Sequence, residues 1–233
     1  ARMGATVALV CRNRERAEDA RAAIVATSGN AAVEIFLADL SSLAAIRRLA
    51  HELLARYPQI HVLVNNAGIL NRKRMTTIDG IEAVFAVNHL AYFLLSHLLL
   101  ERLQASAPAR IVNVASDAHR WGSLDVEDLQ HERSYRPLLV YGRSKLCNLL
   151  FTRELARRIQ ETGVTVNCVH PGGVATGLGK NNGWFAVVIA TALKPFILTA
   201  EQGADTVIYL ATAPEVGSVS GKYFVKRRER QPS

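Results

Sequence analysis

Tyr141 and Lys145 are the two residues of this chain whose types and spacing most clearly suggest chemistry. If the stretch Tyr-Gly-Arg-Ser-Lys opens a helix, side chains four residues apart project from one face, about 5–6 Å apart at Cβ. An ammonium beside a phenol lowers the tyrosine pKa, so the phenol could donate or accept a proton near neutral pH. A solvated helical pair has the same spacing, so the rest of the chain must decide between the two interpretations.

The elements that must position this pair alternate along the chain. Apolar runs bounded by glycine or polar residues predict buried strands at 6–11, 33–38, 60–64, 110–115 and 164–169, and a last strand at 221–225. Helical spacing predicts helices over about 14–28, from a cap at Ser41 or Ser42, and over about 79–105, 141–162 and 200–213. This alternation predicts an α/β fold with a doubly wound parallel sheet of the Rossmann type. We expect one domain over residues 1–233.

The first residues suggest that the predicted sheet is incomplete. Ala-Arg-Met-Gly resembles the last turn of a helix and its glycine cap, placed directly before a strand. We therefore expect that a first strand and most of a first helix lie upstream of the given sequence.

Distinctive residues follow each of the first five predicted strands, and these strand ends are expected to meet at one place. In open parallel sheets, ligands bind in the crevice at the carboxyl ends of the strands. Five separate segments would therefore converge on one cleft, which favours the chemical interpretation of the tyrosine–lysine pair. In chain order the segments are Arg12, Asp39, Asn65-Asn66-Ala67-Gly68, Ser116 and Pro171-Gly172.

With these residues identified, the sequence resembles the short-chain dehydrogenase/reductase family over nearly its whole length. The motifs are Asp39-Leu40, Asn65-Asn66-Ala67-Gly68, Asn88, Ser116, Tyr141 with Lys145, and Pro171-Gly172 with Thr176. The stretches 87–90, 111–119 and 141–148, and the long insertion between Ser116 and Tyr141, are most similar to the retinol-dehydrogenase-like branch. The family's glycine-rich phosphate loop is absent, in agreement with the expected upstream segment.

The resemblance implies a catalytic role for four residues. Tyr141 would donate the proton to a carbonyl or take it from an alcohol, and Lys145 would lower the tyrosine pKa and bind the nicotinamide ribose. Ser116 would hold the substrate oxygen and stabilise its developing charge. Asn88 would hold a water behind Lys145, and the hydride would come from the nicotinamide. The alternatives are a turn serine at 116 and an asparagine at 88 that only bonds a neighbouring backbone group.

A nicotinamide dinucleotide is the cofactor that the resemblance implies. Its contacts would include Tyr141 and Lys145, and also Asp39, Leu40, Asn66, Ala67, Gly68, Pro171, Gly172, Val174 and Thr176. At the end of the first visible strand, Arg12-Asn13-Arg14 stands where a carboxylate would select NAD. A guanidinium suits the 2′-phosphate instead, so we predict NADP(H), with NAD(H) as the alternative. Solvated loop charges at Arg12 and Arg14 remain the structural alternative.

The predicted substrate is a small apolar aldehyde or ketone, or the corresponding alcohol. Residues 179–198 lie where the family places its substrate-covering segment, and Trp184 and Phe185 would contact the substrate together with Ser116. An ordinary core helix is the alternative for this segment. We predict an NADP(H)-dependent oxidoreductase; the alternative is a catalytically silent protein of the same fold that senses dinucleotides or acts as a scaffold.

Composition limits the remaining functions. The net charge of +8 is dispersed and no nucleic-acid motif is present, which argues against nucleic-acid binding. We identified no run of about 18 apolar residues that would span a bilayer, so we expect a cytoplasmic protein, with weak contact to acidic membranes as an alternative. The three cysteines are expected to be free thiols, and no metal site is expected. The two apolar helices over 79–105 and 141–162 predict a homodimer or homotetramer.

Overall fold

The computed structural model describes residues 1–173 and 198–232 and confirms the predicted α/β fold. The strands are β1 (Val7–Cys11), β2 (Val33–Leu37), β3 (Val62–Asn65), β4 (Ala109–Val114), β5 (Val164–His170), β6 (Tyr223–Val225) and β7 (Arg228–Arg230). The helices are α1 (Arg14–Ser28), α2 (Leu43–Arg56), α3 (Ala83–Ala105), α4 (Pro137–Arg158) and α5 (Ala200–Thr212). A 3-10 helix, Asp117–Trp121, follows β4.

The strands form two hydrogen-bonded sheets within the described residues. One is the parallel pair β1 and β2, and the other has the order β3-β4-β5-β6-β7, in which β7 alone is antiparallel. The edges of β1 and β3 line a common cleft between the two sheets. Strand β7 was not predicted, because the charged sequence Arg-Glu-Arg lacks the apolar run that identifies a buried strand.

Two helix starts differ from the predicted positions. Helix α4 begins at Pro137, in the favoured first position, so Tyr141 lies one turn inside the helix rather than at its start. Helix α3 begins at Ala83, after the capping residue Glu82. Asp79 lies before it in a turn, and its carboxylate accepts a hydrogen bond of 2.8 Å from the amide of Leu43.

The main core lies between α2, α3, α4 and the larger sheet. Its buried side chains include Ile46, Leu49, Leu99, Ile111 and Val166. Tyr92 and Leu95 also face inward, although they belong to the apolar helix over 79–105 from which we predicted a subunit interface. Phe93 lies on the opposite side of α3 and is 43% exposed, so the outward apolar face is narrower than the sequence indicated.

Helix α3 is also long and apolar enough to cross a membrane by length and composition. It has 23 residues with a mean hydropathy of 1.7, and 56% of its most apolar window is buried inside the protein. The sequence has no continuous run of about 18 apolar residues here, because Asn88, His89 and Ser96 interrupt it, and the helix meets the criterion only by its mean hydropathy. The burial of Leu99 and Leu103 against the sheet is that of a core helix.

Candidate active site

Tyr141 and Lys145 project together into the cleft, as their spacing predicts. The Lys145 Nζ atom lies 5.6 Å from the centre of the Tyr141 ring and 5.7 Å from that of Tyr92. Lys145 is only 2% exposed, and its ammonium donates a hydrogen bond of 2.9 Å to the carbonyl of Val114 at the end of β4. Helix α4 and the sheet thus hold the amine in a fixed position behind the phenol.

The electrostatics of this pair differ from the sequence expectation. Burial raises the pKa of Tyr141, and a hydrogen bond with the Ser116 hydroxyl opposes that rise. Burial also lowers the pKa of Lys145 to about 8, because the low-dielectric surroundings disfavour its charged form. In the protein alone, desolvation therefore outweighs the effect that we expected Lys145 to have on the tyrosine.

Ser116 stands two residues after the end of β4, close to the phenol of Tyr141. Its hydroxyl accepts a hydrogen bond of 3.2 Å from the amide of Ala118 and so caps the 3-10 helix. The turn-serine alternative is thus partly correct, since Ser116 begins a helical turn. The Ser116 hydroxyl also forms a hydrogen bond with Tyr141, so it caps the 3-10 helix and still lies beside the phenol in the cleft.

Asn88 lies in a π-helical turn, Ala86–Leu90, within α3 and is fully buried. Its amide donates 3.0 Å hydrogen bonds to the Ser144 hydroxyl and to the carbonyl of Ile69, and its oxygen accepts one of 2.7 Å from the Ile69 amide. Its own carbonyl accepts a hydrogen bond of 2.8 Å from Asn148. The side chain therefore joins the loop after β3 to α4, behind Lys145; its role toward a water stays a prediction.

The Asn-Ala-Gly loop after β3 forms the adjacent wall of the cleft. The Tyr92 hydroxyl donates a 2.7 Å hydrogen bond to the Ala67 carbonyl and fixes the loop against α3. Gly68 lies against the catalytic candidates, since a Cβ atom there would be 3.6 Å from Asn88 Oδ1 and 3.7 Å from Lys145 Nζ. Asn66 is exposed, with its side chain free to contact a ligand in the cleft.

Arg12 and Asp39 lie at the ends of β1 and β2, where the sequence placed them. Burial acts to raise the pKa of Asp39, but hydrogen bonds from Ser41 and the charge of Arg12 outweigh it and lower that pKa. Arg12 is exposed and lines the cleft, as do Asp39 and Leu40. Asn13 instead caps α1 by accepting a 2.9 Å hydrogen bond from the Arg16 amide, which occupies the side chain that we assigned to the cofactor. Arg14 is the first residue of α1 and is exposed.

Pro171 and Gly172 line the cleft after β5. Gly172 has a φ of +89°, and a Cβ atom there would lie 2.5 Å from Leu198 Cδ1, so the position requires glycine. The predicted contacts Val174, Thr176, Trp184 and Phe185 lie outside the described residues. So does the 179–198 segment, apart from Leu198.

Several residues of the site were not predicted. Trp121 and Leu138 line the cleft and are 59% and 57% exposed, forming an apolar rim beside the Tyr141 phenol. Tyr92 holds the loop after β3. Trp121 could have been identified from its place five residues after Ser116, but Tyr92 could not be distinguished from a core aromatic residue. Among the described residues no cluster of metal-ligating side chains occurs.

The residues in the cleft fit a nicotinamide dinucleotide in their chemistry. The cleft presents an exposed cation at one end, a buried amine beside a phenol at the other, and a loop with a small residue between them. Such a surface can hold a phosphate-bearing ligand and exchange a proton with a neighbouring oxygen atom.

Comparisons with known proteins agree with this geometry. A family model described as short chain dehydrogenase matches residues 1–184. Mouse retinol dehydrogenase 12 is 44% identical over 96% of this chain and 71% of its own length. Among solved structures, an uncharacterised protein from Mycobacterium paratuberculosis is 34% identical with a TM-score of 0.74, covering 96% of this chain and 72% of that chain. A short chain dehydrogenase from Burkholderia cenocepacia in complex with NADP is 26% identical with a TM-score of 0.71, covering 95% and 85%.

The matched length and the identity to the retinol dehydrogenases exceed what a shared fold alone would give. The chain belongs to the short-chain dehydrogenase/reductase family of oxidoreductases, and it is similar to the retinol dehydrogenases within it.

Proposed function

We propose that the chain is an NADP(H)-dependent oxidoreductase that interconverts apolar aldehydes or ketones and their alcohols. The observation that carries this proposal is the convergence of Ser116, Tyr141 and Lys145 on one cleft, with Asn88 directly behind them. A bound nicotinamide would supply or accept the hydride. The protein's own residues would bind and orient the substrate and move the proton.

Tyr141 acts as the proton donor and acceptor in this proposal. Because burial raises its pKa, the phenol is protonated at neutral pH and is ready to donate to a substrate carbonyl oxygen. Ser116 offers a second hydroxyl beside the phenol, and two donors on one oxygen stabilise the charge that develops there. Lys145, with a pKa of about 8, is mostly charged at neutral pH and favours the phenolate once the proton has left.

Arg12 supports the preference for NADP(H). It is exposed at the end of β1, in the cleft, and no carboxylate follows it in the chain before Glu15. Asp39 lies close enough for the charge of Arg12 to lower its pKa, so the two side chains lie in the same part of the cleft. The related Burkholderia structure was solved with NADP, in agreement with this preference.

An apolar substrate is supported by the cleft rim. Trp121, Leu138 and Met75 are all more than half exposed and line the cleft. Exposed apolar side chains around a binding cleft favour a ligand that covers them. The resemblance to retinol dehydrogenases leads to the same class of substrate, and we propose a long or ring-bearing carbonyl compound.

The decisive experiment is Tyr141→Phe, which keeps the ring and removes the proton donor. We expect turnover of a retinal-like aldehyde with NADPH to fall by at least about a hundredfold, the usual scale for one acid–base group. Cofactor binding, followed by NADPH fluorescence, should be retained. Wild-type protein should also show a higher kcat/KM for the retinal-like aldehyde than for acetaldehyde. Near-normal turnover in the mutant would refute the mechanism, and equal efficiencies would refute the substrate class.

A further inference from the structure

The segment between the 3-10 helix and α4, residues 122–136, is held in place by side chains from two sides. We call it the connecting segment. On one side, Arg74 Nε donates a 3.0 Å hydrogen bond to the Gln130 carbonyl. The Gln130 side chain accepts one of 3.0 Å from the Glu82 amide. Tyr135 donates one of 3.1 Å to the Asn71 carbonyl. These bonds connect the segment to the region before α3.

On the other side the connecting segment is held by Arg143, two residues after Tyr141. Arg143 Nε donates a 2.8 Å hydrogen bond to the Ser123 carbonyl, and Nη1 donates to the Asp128 carbonyl. The side chain is 7% exposed and forms no ion pair within the part of the chain that the structure describes. A buried guanidinium is costly unless its donors are satisfied, so this position needs a specific reason.

The reason lies in the backbone contact directly beside Arg143. A Cβ atom on Gly142 would be 2.5 Å from the Ala118 carbonyl oxygen, and one on Gly122 would be 2.6 Å from the Gly142 carbonyl carbon. The first turns of α4 and the 3-10 helix thus touch backbone to backbone, which only glycine permits at these two positions. This contact joins the element that Ser116 caps to the helix that carries Tyr141.

Resting on the proposed function of Tyr141, we propose that Arg143 is a positioning residue that keeps the Ser116 hydroxyl against the Tyr141 phenol. The guanidinium of Arg143 binds the carbonyls of Ser123 and Asp128, in the segment that follows Gly122, and thereby keeps the 3-10 helix packed against α4. The planar guanidinium suits this task because one side chain can reach two carbonyls in fixed directions, whereas an ammonium cannot reproduce that geometry. A small displacement between two reacting groups is enough to reduce catalysis strongly.

The first test does not depend on activity. In Arg143→Gln the connecting segment loses both hydrogen bonds, so trypsin should cleave after the exposed Arg133 about tenfold faster than in wild type. Arg143→Lys can keep one of the two bonds and should show an intermediate rate. Arg153→Gln, an exposed arginine on the same helix, is the matched control and should cleave as wild type does. An unchanged rate in Arg143→Gln would overturn the proposal.

The second test reads the Ser116–Tyr141 contact itself. For alcohol oxidation, the pH profile of kcat/KM should lie about one pH unit higher in Arg143→Gln than in wild type. At neutral pH this shift corresponds to about a tenfold loss of kcat/KM. Ser116→Ala should give the same shift, and the double variant should show no further shift, because both changes remove one interaction. Gly142→Ala should separate the 3-10 helix from α4 while the Arg143 side chain is unchanged. It should shift the pH profile of kcat/KM in the same direction.

The outcomes separate three cases. If Tyr141→Phe remains active, the proposed function fails, whatever Arg143 does. If Tyr141→Phe is inactive but Arg143→Gln lowers only the melting temperature and leaves the pH profile unchanged, Arg143 is merely structural and the proposal is wrong. Shifts from Arg143→Gln and Ser116→Ala that add in the double variant would also overturn it.

Discussion

At the scale of single residues, Arg12 is the position that distinguishes the two nicotinamide cofactors. It is exposed at the end of β1 and interacts with Asp39. We expect Arg12→Ala to raise the Michaelis constant for NADPH by about tenfold or more, because a charge-assisted hydrogen bond to phosphate is lost, and to change that for NADH little. Arg16→Ala, at an exposed arginine of α1 outside the cleft lining, serves as the control. A wild-type preference for NADH, or equal weakening of both cofactors by Arg12→Ala, would contradict the assignment.

Lys145 has an energetic cost that depends on pH. Its pKa is lowered to about 8 by burial, whereas an unfolded chain would protonate it up to its ordinary value of 10.5. Below pH 8 the ammonium is charged in both states, and the burial penalty of about 3 kcal/mol is present in full. Between pH 8 and 10.5 only the unfolded state keeps the proton, so this penalty disappears as the pH rises.

Lys145→Met should therefore stabilise the fold at pH 7 while it abolishes activity. We expect the free energy of unfolding to rise by about 1–3 kcal/mol at pH 7 and the gain to decline above pH 8 and vanish above about pH 10.5. Urea titrations at a series of pH values measure this directly. Lys226→Met, which removes an exposed lysine, should leave the pH dependence unchanged. A constant difference between Lys145→Met and wild type across this range would contradict the role of burial.

At the scale of elements, a chain of buried polar side chains connects strands and helices behind the site. Asn65 donates hydrogen bonds to Ser96 on α3 (3.0 Å) and to Asn113 on β4 (2.8 Å). Asn113 donates one of 2.9 Å to Thr152 on α4. One turn earlier on α4, Asn148 bonds the Asn88 carbonyl and the His89 ring. These bonds fix how α3 and α4 sit on the sheet, and hence where Asn88 and Lys145 meet.

Asn148→Ala tests this connection. The change leaves the Asn88 carbonyl and the His89 ring nitrogen without their partner, and each buried unsatisfied group costs about 1–3 kcal/mol. We expect the free energy of unfolding to fall by about 2–4 kcal/mol in urea titrations. Arg153→Ala on the exposed side of α4 should change it by less than about 0.5 kcal/mol. If Asn148→Ala changed the free energy of unfolding as little as Arg153→Ala, the network would contribute little to stability.

At the scale of the whole molecule, the outward side of α3 and α4 is the surface on which we predict self-association. Phe93 and Leu150 are 43% and 41% exposed there, and the Phe93 ring lies 5.4 Å from that of Phe151. We expect wild-type protein to be a homodimer or homotetramer in light scattering at micromolar concentration, and Phe93→Asp to dissociate it because a buried charge without a partner is costly. Ile78→Asp, at a residue that is 88% exposed, should leave the assembly intact. A monomeric wild type would refute the prediction.

Local patterns predicted most of the elements and the convergence of the site. Buried strands have continuous apolar sequences, so residues that follow them, such as Asp39 and Ser116, could be assigned to one edge of the sheet. Features that depend on contacts distant in sequence could not be predicted. The π-helical turn at Asn88 is of this kind. So is the direction of the Tyr141 pKa, because spacing indicates a neighbouring charge but not the depth of burial.

The pairing of β4 and β5 on both sides has a consequence for hydrogen exchange. Strand β4 lies between β3 and β5, and β5 lies between β4 and β6. Amides in such strands exchange with solvent only when the sheet itself opens, at a free energy close to that of global unfolding. The carbonyl of Val114, the last residue of β4, accepts the hydrogen bond of Lys145. The amine beside Tyr141 is therefore anchored to a slowly exchanging part of the sheet.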